Sequence, residues 1–280
     1  MKILYVGVCK DNLERYYPNY LAGDFIEPPF TAEALVERVW SDRVEVLMVD
    51  VTPIAFSRSF LSQLRGQVKH INFLYQSISS LIDVEDASRC GIRVTKLPND
   101  VYCNEVAEFA VAQMLCASKG ILEFDRSMRR GQWNQAATVC RSLVGKTLGV
   151  IGYGHIGKRI VALCGNFGMS ILATRRNLSI NAEASDVELV MLPTLLERSD
   201  FIVLALPLTR NTYHLLNAKN LDRVKDQAVI VNVSRGDLVD EKTVLAALES
   251  GRLGGYCADV FASEPLDKQH PFASTARTIL

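Results

Sequence analysis

Between Lys146 and Arg176 the chain reads KTLGVIGYGHIGKRIVALCGNFGMSILATRR, and three of its glycines leave few folds open. The run Leu148 to Ile151 is apolar and short enough for one buried strand. Gly152, Gly154 and Gly157 follow in G-x-G-x-x-G spacing, a helical segment covers Ile156 to Phe167, and a second apolar run covers Ile171 to Thr174. A lone glycine pattern is weak, but strand, turn, helix and strand in this order make it a dinucleotide-binding fingerprint. Gly152 permits the tight turn, Gly154 admits a pyrophosphate to the backbone, and Gly157 lets helix and strand pack closely. The pyrophosphate would rest on exposed N–H groups at the positive end of the helix dipole. Gly152, Tyr153, Gly154, His155, Ile156 and Gly157 are therefore the candidate cofactor-binding turn.

The end of the second strand bears on which dinucleotide. An NAD-preferring site places an acidic residue about 20 positions beyond the glycines, where it accepts hydrogen bonds from the ribose 2′-OH. Here Thr174, Arg175 and Arg176 stand there instead. Two guanidiniums and a hydroxyl suit a 2′-phosphate, which a carboxylate would repel. The plain alternative is a solvated strand end. The residues favour NADP(H), with NAD(H) as the alternative.

Composition narrows the class. The 280 residues carry 31 basic and 31 acidic side chains, so no charge excess favours nucleic acid or an anionic membrane as partner. A hydrophobic content of 49% supports a sizeable core, and the length suits one large or two medium domains. No apolar run approaches a membrane span, and MKILYVGV reads as a strand without a cleavable signal. Cys9, Cys90, Cys103, Cys116, Cys140, Cys164 and Cys257 are an odd set with no C-x-x-C pair. They read as mostly buried thiols of a reducing cytoplasm, and no metal site has support.

Apolar runs alternate with helical pieces along the chain. Strands are expected at Ile3 to Val8, Val46 to Val51, Val68 to Tyr75 and Ile92 to Leu97. Helices are expected from Thr31, a capping residue, and over Asp83 to Cys90. One long helix is expected from about Asn104 to Arg130, apolar on nearly every face of its first half. Beyond Arg176, helices are expected at Leu192 to Arg198 and Glu241 to Glu249. The remaining strands are expected at Phe201 to Leu206, Ala228 to Val233 and Gly255 to Val260. Such alternation implies an α/β fold with parallel sheets covered on both faces. Ligands of such sheets bind outside the strands' carboxyl ends, which puts Pro207, Ser234, Arg235, Asp259 and Glu264 on one rim with the glycine turn.

From Val106 onward the chain carries EVAEFAVAQML, RRGQW, GKTLGVIGYGHIGKRI, NFGM, LPLTRNTYHLL, VNVSRGDLVDEKTVLAALESG and ADVFASEPL in order. It thereby resembles the D-isomer-specific 2-hydroxyacid dehydrogenases of the glyoxylate/hydroxypyruvate-reductase kind. The resemblance implies a flavodoxin-like substrate domain over 1–103 and a Rossmann-like doubly wound NAD(P)-binding domain over 104–280. It also implies a homodimer formed through the coenzyme domain, and a small 2-oxo or 2-hydroxy acid as substrate. Arg235 matches the arginine that grips the substrate carboxylate and polarises its keto group. Glu264 matches the acid that holds a catalytic histidine, and Asp259 the aspartate that binds the nicotinamide carboxamide. Gly154, His155 and Ile156 match the pyrophosphate turn, Val233 and Ser234 the nicotinamide side, and Pro207 the adjacent ribose region.

Two departures qualify the resemblance. The family's catalytic histidine follows an HPF-like segment, present here as His270-Pro271-Phe272, and would fall just beyond Leu280. The chain is therefore expected to be truncated before that histidine and its terminal helix, with a marginal fold. His70, His155, His214 and His270 do not replace it. In the first domain, the loop expected to hold the substrate carboxylate reads QSISSLIDVEDA, with Ser79, Ser80 and Leu81 where glycine-rich residues are expected. Three readings follow: an NADP(H)-preferring 2-hydroxyacid dehydrogenase, a catalytically degenerate NAD(P)-binding regulator or inactive fragment, and a relative acting on formate or phosphite. Retention of both Arg235 and Glu264 favours the first.

Overall fold

Short apolar runs spaced by amphipathic segments build two sheets, parallel throughout, one in each of two compact units, Met1–Val101 and Tyr102–Leu280. The structure, a computed structural model, describes all residues except 8–22, 28, 51, 53, 75–77, 79–80, 99, 134–139, 178–185 and 276.

The first unit runs β1 (Ile3–Val6), β2 (Asp24–Ile26), α1 (Ala32–Ser41), β3 (Val46–Val49), α2 (Arg58–Leu64), β4 (His70–Phe73), α3 (Val84–Arg89) and β5 (Arg93–Lys96). Its strand order β2-β1-β3-β4-β5 is the flavodoxin-like one. Thr31 caps α1 by accepting from the Ala34 N–H at 3.2 Å, and the helix buries Leu35 and Val39. Asp83 caps α3 in the same way, accepting from the N–H groups of Glu85 and Asp86. Strand β2 was not expected; it is three residues long and owes its state to pairing with β1. The loop after β4 contains the candidate substrate residues. Ser79 and Ser80 lie outside the described residues. The Leu81 N–H donates to the Ile78 carbonyl at 2.9 Å, and its carbonyl accepts from the Phe56 N–H at 2.8 Å.

The second unit begins with α4 (Cys103–Lys119) and α5 (Ile121–Arg129), followed by β6 (Thr147–Ile151), α6 (His155–Cys164), β7 (Ser170–Thr174) and β8 (Val187–Leu189). It continues with α7 (Leu192–Arg198), β9 (Phe201–Leu204), α8 (Ala218–Leu221), β10 (Val229–Asn232) and α9 (Glu241–Glu249). It closes with β11 (Gly255–Ala258), α10 (Pro271–Ser274) and β12 (Thr278–Ile279). The order is β12-β11-β10-β9-β6-β7-β8, so the chain leaves β6 to one side and returns to its other side at β9. That reversal is the topological switch point of a doubly wound sheet. Alternate strand residues feed two cores: Phe201 and Val203 pack with α4 and α6, whereas Ile202 and Leu204 pack with α7 and α9.

Three expectations are corrected. The long helix is two helices, because Gly120 takes a left-handed φ of 64° that ends α4 and starts α5. Its first half is buried on one side only: Ala107, Ala110 and Met114 are fully or nearly fully buried, while Phe109 is 45% exposed. The cysteines are mixed as well. Cys103, Cys164 and Cys257 are buried, Cys90 and Cys116 half-buried and Cys140 exposed, while Cys9 lies outside the described residues. Burial pushes the Cys164 and Cys257 thiols up to about 12, which removes both as nucleophiles at neutral pH.

Candidate functional site

The glycine turn sits at the switch point. Gly152 follows β6 with a φ of 106°, and a β-carbon there would lie 2.2 Å from the Ala205 carbonyl oxygen beyond β9. The N–H groups of Gly152 and Tyr153 donate to the Thr174 carbonyl at 3.0 and 3.2 Å, tying the turn to the end of β7. Gly157 lies so close to the turn that a β-carbon would stand 2.1 Å from the Gly152 carbonyl oxygen. Gly154 differs from both. A β-carbon there would meet nothing within 4 Å, so open space faces the backbone where α6 begins. No side chain caps α6, whose N-cap is Gly154 itself. The first-turn N–H groups at His155, Ile156 and Gly157 are thus left for an incoming anion. His155 is exposed there, and Ile156 packs partly against the core.

Arg175 follows Thr174, and its guanidinium lies over the Tyr153 ring, 5.9 Å from the centroid. The ring face attracts the cation and restricts it near the turn. Arg176 is exposed beside it. A turn with open space at Gly154, an uncapped helix start and two arginines at the neighbouring strand end fits a dinucleotide.

The strands on the other side of the switch point supply the second half of the rim. Asn232, the last residue of β10, is fully buried. Its Oδ1 accepts from the Ser234 N–H at 3.1 Å, and its Nδ2 donates to the Arg235 carbonyl at 2.9 Å. Ser234 Oγ donates to the Leu204 carbonyl at 2.9 Å, pinning the turn to β9. Arg235 leaves this turn exposed, with Nη1 donating to the Ser234 carbonyl at 2.6 Å. Val233 is buried beneath it, and Pro207 is exposed on the rim, its carbonyl accepting from Thr212 Oγ1 at 2.8 Å.

Gly236 lets the FASEPL segment close on this turn, since a β-carbon would lie 1.9 Å from the Phe261 carbonyl carbon. Glu264 Oε1 accepts from the Phe261 N–H at 2.9 Å. Asp259 reaches solvent, yet crowding on the rim still moves its carboxyl. Burial pushes it up, its own backbone N–H pulls it down, Glu264 repels it and Arg235 attracts it. Arg235 and Glu264 are thus each within electrostatic reach of Asp259.

Among the described residues, no histidine bonds to Glu264. His270 Nδ1 accepts from the Phe272 N–H at 3.3 Å, and Nε2 stands 3.3 Å from Glu241 Oε2. His214 stacks on Tyr213 with ring centroids 4.0 Å apart. His70 is bonded to Thr95 within the first sheet at 2.7 Å. Two residues on this rim escape a sequence reading, Asn232 and Glu241. Glu241 accepts from the Ala262 N–H at 2.9 Å while facing His270, so it joins the FASEPL loop to the HPF segment. A polar residue ending an apolar strand is the one signal that could have exposed Asn232.

A cavity of about 520 Å³ opens at the opposite, amino ends of the same strands, among Arg141, Lys146, Asp200 and Lys225. Its charges already satisfy one another. Lys225 meets Asp200 at 2.7 Å, and Arg141 donates to the Gln227 carbonyl and Oε1 at 2.9 and 3.1 Å. It is an anchorage for the sheet, and the chemistry stays with the carboxyl rim. Among the described residues, no helix is long and apolar enough to cross a membrane, and no cluster of His, Cys, Asp or Glu could hold a metal.

Comparison with known proteins agrees with this geometry. The family profile described as "D-isomer specific 2-hydroxyacid dehydrogenase, NAD binding domain" matches residues 111–280. A glyoxylate reductase of Thermococcus gammatolerans is 38% identical over 200 residues, which are 69% of this chain and 60% of that one. The chain thus spans about 60% of the length of the curated relatives it matches. The solved glyoxylate reductase of Paecilomyes thermophila is similar with a TM-score of 0.82 and 28% identity, over 100% of this chain and 87% of that one. The apo D-lactate dehydrogenase of Escherichia coli gives 0.84 and 27%, over 100% and 88%. The chain belongs to the D-isomer specific 2-hydroxyacid dehydrogenase family.

Proposed function

We propose that this chain is the core of an oxidoreductase that moves a hydride between NADP(H) and a small 2-oxo or 2-hydroxy acid. The observation that carries this reading is the single rim shared by the open Gly154 turn and the Arg235 turn, on either side of the switch point. When bound, the nicotinamide cofactor supplies or accepts the hydride at the substrate's C2. The α6 N-terminus holds the pyrophosphate, and Arg175 and Arg176 hold the 2′-phosphate. Asp259 accepts from the carboxamide, and Val233, Ser234 and Pro207 line the nicotinamide and its ribose. Arg235 turns from the Ser234 carbonyl to bind the substrate carboxylate and meet the negative charge growing on the keto oxygen. Within the first unit, Ser79, Ser80 and Leu81 are the candidate substrate residues. The working state is a homodimer, and the compartment is the cytoplasm. In support of the dimer, α5 buries none of its residues, and Ile121, Phe124 and Met128 share one of its faces.

A second reading keeps cofactor binding without turnover. It is favoured by Glu264, whose carboxylate closes on its own loop, and by His270, which is engaged with Glu241. Consumption of NADPH and NADH by the purified chain with glyoxylate and with hydroxypyruvate separates the two. Turnover faster with NADPH, and lost in Arg235→Ala, supports the enzyme. Saturable NADPH binding with no turnover selects the regulator.

A further inference from the structure

We infer that Asn232 is a positioning residue for the reaction: its buried amide sets the direction in which Arg235 meets the substrate carboxylate. This rests on the reading of Arg235 as the carboxylate clamp. Asn232 is fully buried at the carboxyl end of β10, where an apolar residue would serve packing as well. It is spent instead on the backbone of the next three residues. Its acceptor takes the Ser234 N–H at 3.1 Å and its donor the Arg235 carbonyl at 2.9 Å, closing the turn in both hydrogen-bond senses. With the Ser234 hydroxyl bonded to Leu204 and Gly236 seated on Phe261, the Arg235 backbone is held on three sides. The guanidinium itself is exposed, and among the described residues it donates to the Ser234 carbonyl. A long, exposed side chain gains its aim from its backbone, and the two amide bonds of Asn232 decide that backbone's direction. A bidentate clamp is sensitive to such direction, because both N–H groups must meet both oxygens at once.

The test uses the whole chain, NADPH and oxamate, a non-reducible 2-oxo-acid analogue bearing the same carboxylate. Asn232→Asp keeps the shape and the acceptor for Ser234 but sets a buried carboxylate against the Arg235 carbonyl, so the turn opens, and a thermal melt checks that the fold survives it. Asn232→Ala removes both bonds. Oxamate affinity in the presence of NADPH is expected to fall about tenfold in either variant, the equivalent of one lost buried bond. NADPH affinity should stay within about threefold of the parent, well inside that margin. In an Arg235→Ala background, which itself weakens oxamate to a still measurable affinity, the Asn232 substitutions should cost nothing further, since the role acts through Arg235. Equal losses of NADPH and oxamate, or an Asn232 effect undiminished by Arg235→Ala, would show a merely structural asparagine and overturn the inference. Oxamate binding indifferent to Arg235→Ala would instead overturn the clamp, and the positioning role with it.

Discussion

A β-carbon on Gly157 would stand 2.1 Å from the carbonyl oxygen of Gly152, closer than any real side chain approaches backbone. Gly154, between them, would meet nothing within 4 Å, and its φ of −97° is open to any residue. The two glycines therefore separate folding from binding. Gly157→Ala should destabilise the second unit by about 3 kcal/mol or more, because the obstacle is backbone that cannot step aside. Gly154→Ala should leave the melting temperature nearly unchanged while weakening NADPH about tenfold, since the methyl enters the space for the pyrophosphate. Thermal melts and NADPH titrations of both variants check the contrast.

Sequence reading served this region well because its constraints are local. The turn needs glycine at fixed offsets, and α7 and α9 occupy the expected Leu192–Arg198 and Glu241–Glu249. It failed where the cause lay elsewhere in the molecule. Gly120 stands within an apolar helical pattern, and only its left-handed φ divides α4 from α5. Strands β2, β8 and β12 are three, three and two residues long, too short for a pattern to show, and exist through their edge pairings. In the site, Arg235 and Glu264 stand in recognisable motifs. Asn232 bonds the backbone of its own turn, which residue type alone does not announce, and Glu241 acts on a backbone N–H that the fold brings from 21 residues away.

The anchorage at the amino ends of the strands predicts acid sensitivity. Burial pushes the Asp200 carboxyl up, but the Lys225 ammonium, the Thr147 N–H and Lys146 outweigh it and hold it below its ordinary value. A carboxyl lowered by folding stabilises the protein above its unfolded value near pH 4, and that stability is lost as pH falls through the folded value. Denaturant unfolding should therefore show a loss below about pH 4 that Asp200→Asn flattens. The same substitution should cost about 1–3 kcal/mol at neutral pH, where the charge-assisted bond to Lys225 is intact.

Helix α5 predicts the oligomeric state. Ile121 is 48% and Met128 52% exposed, on one face with the half-buried Phe124. Ile121→Glu with Met128→Glu should convert a dimer to a monomer in light scattering at unchanged helix content. A monomeric parent would refute the assignment of this face.

Tyr153 predicts how the cofactor is discriminated. With its ring beneath the Arg175 guanidinium at 5.9 Å, Tyr153→Leu should weaken NADPH about threefold, the worth of a weak cation–π contact, and leave NADH unchanged. Equal weakening of both cofactors would mean that the ring serves the turn and not the arginine.

The most direct measurement is a calorimetric titration of the purified chain with NADPH and with NADH, repeated on Arg175→Ala with Arg176→Ala. The account predicts one saturable site per chain, NADPH at least about tenfold tighter than NADH, and that preference erased in the double variant. Absence of binding by either cofactor, or a preference for NADH that the arginines do not influence, would contradict it.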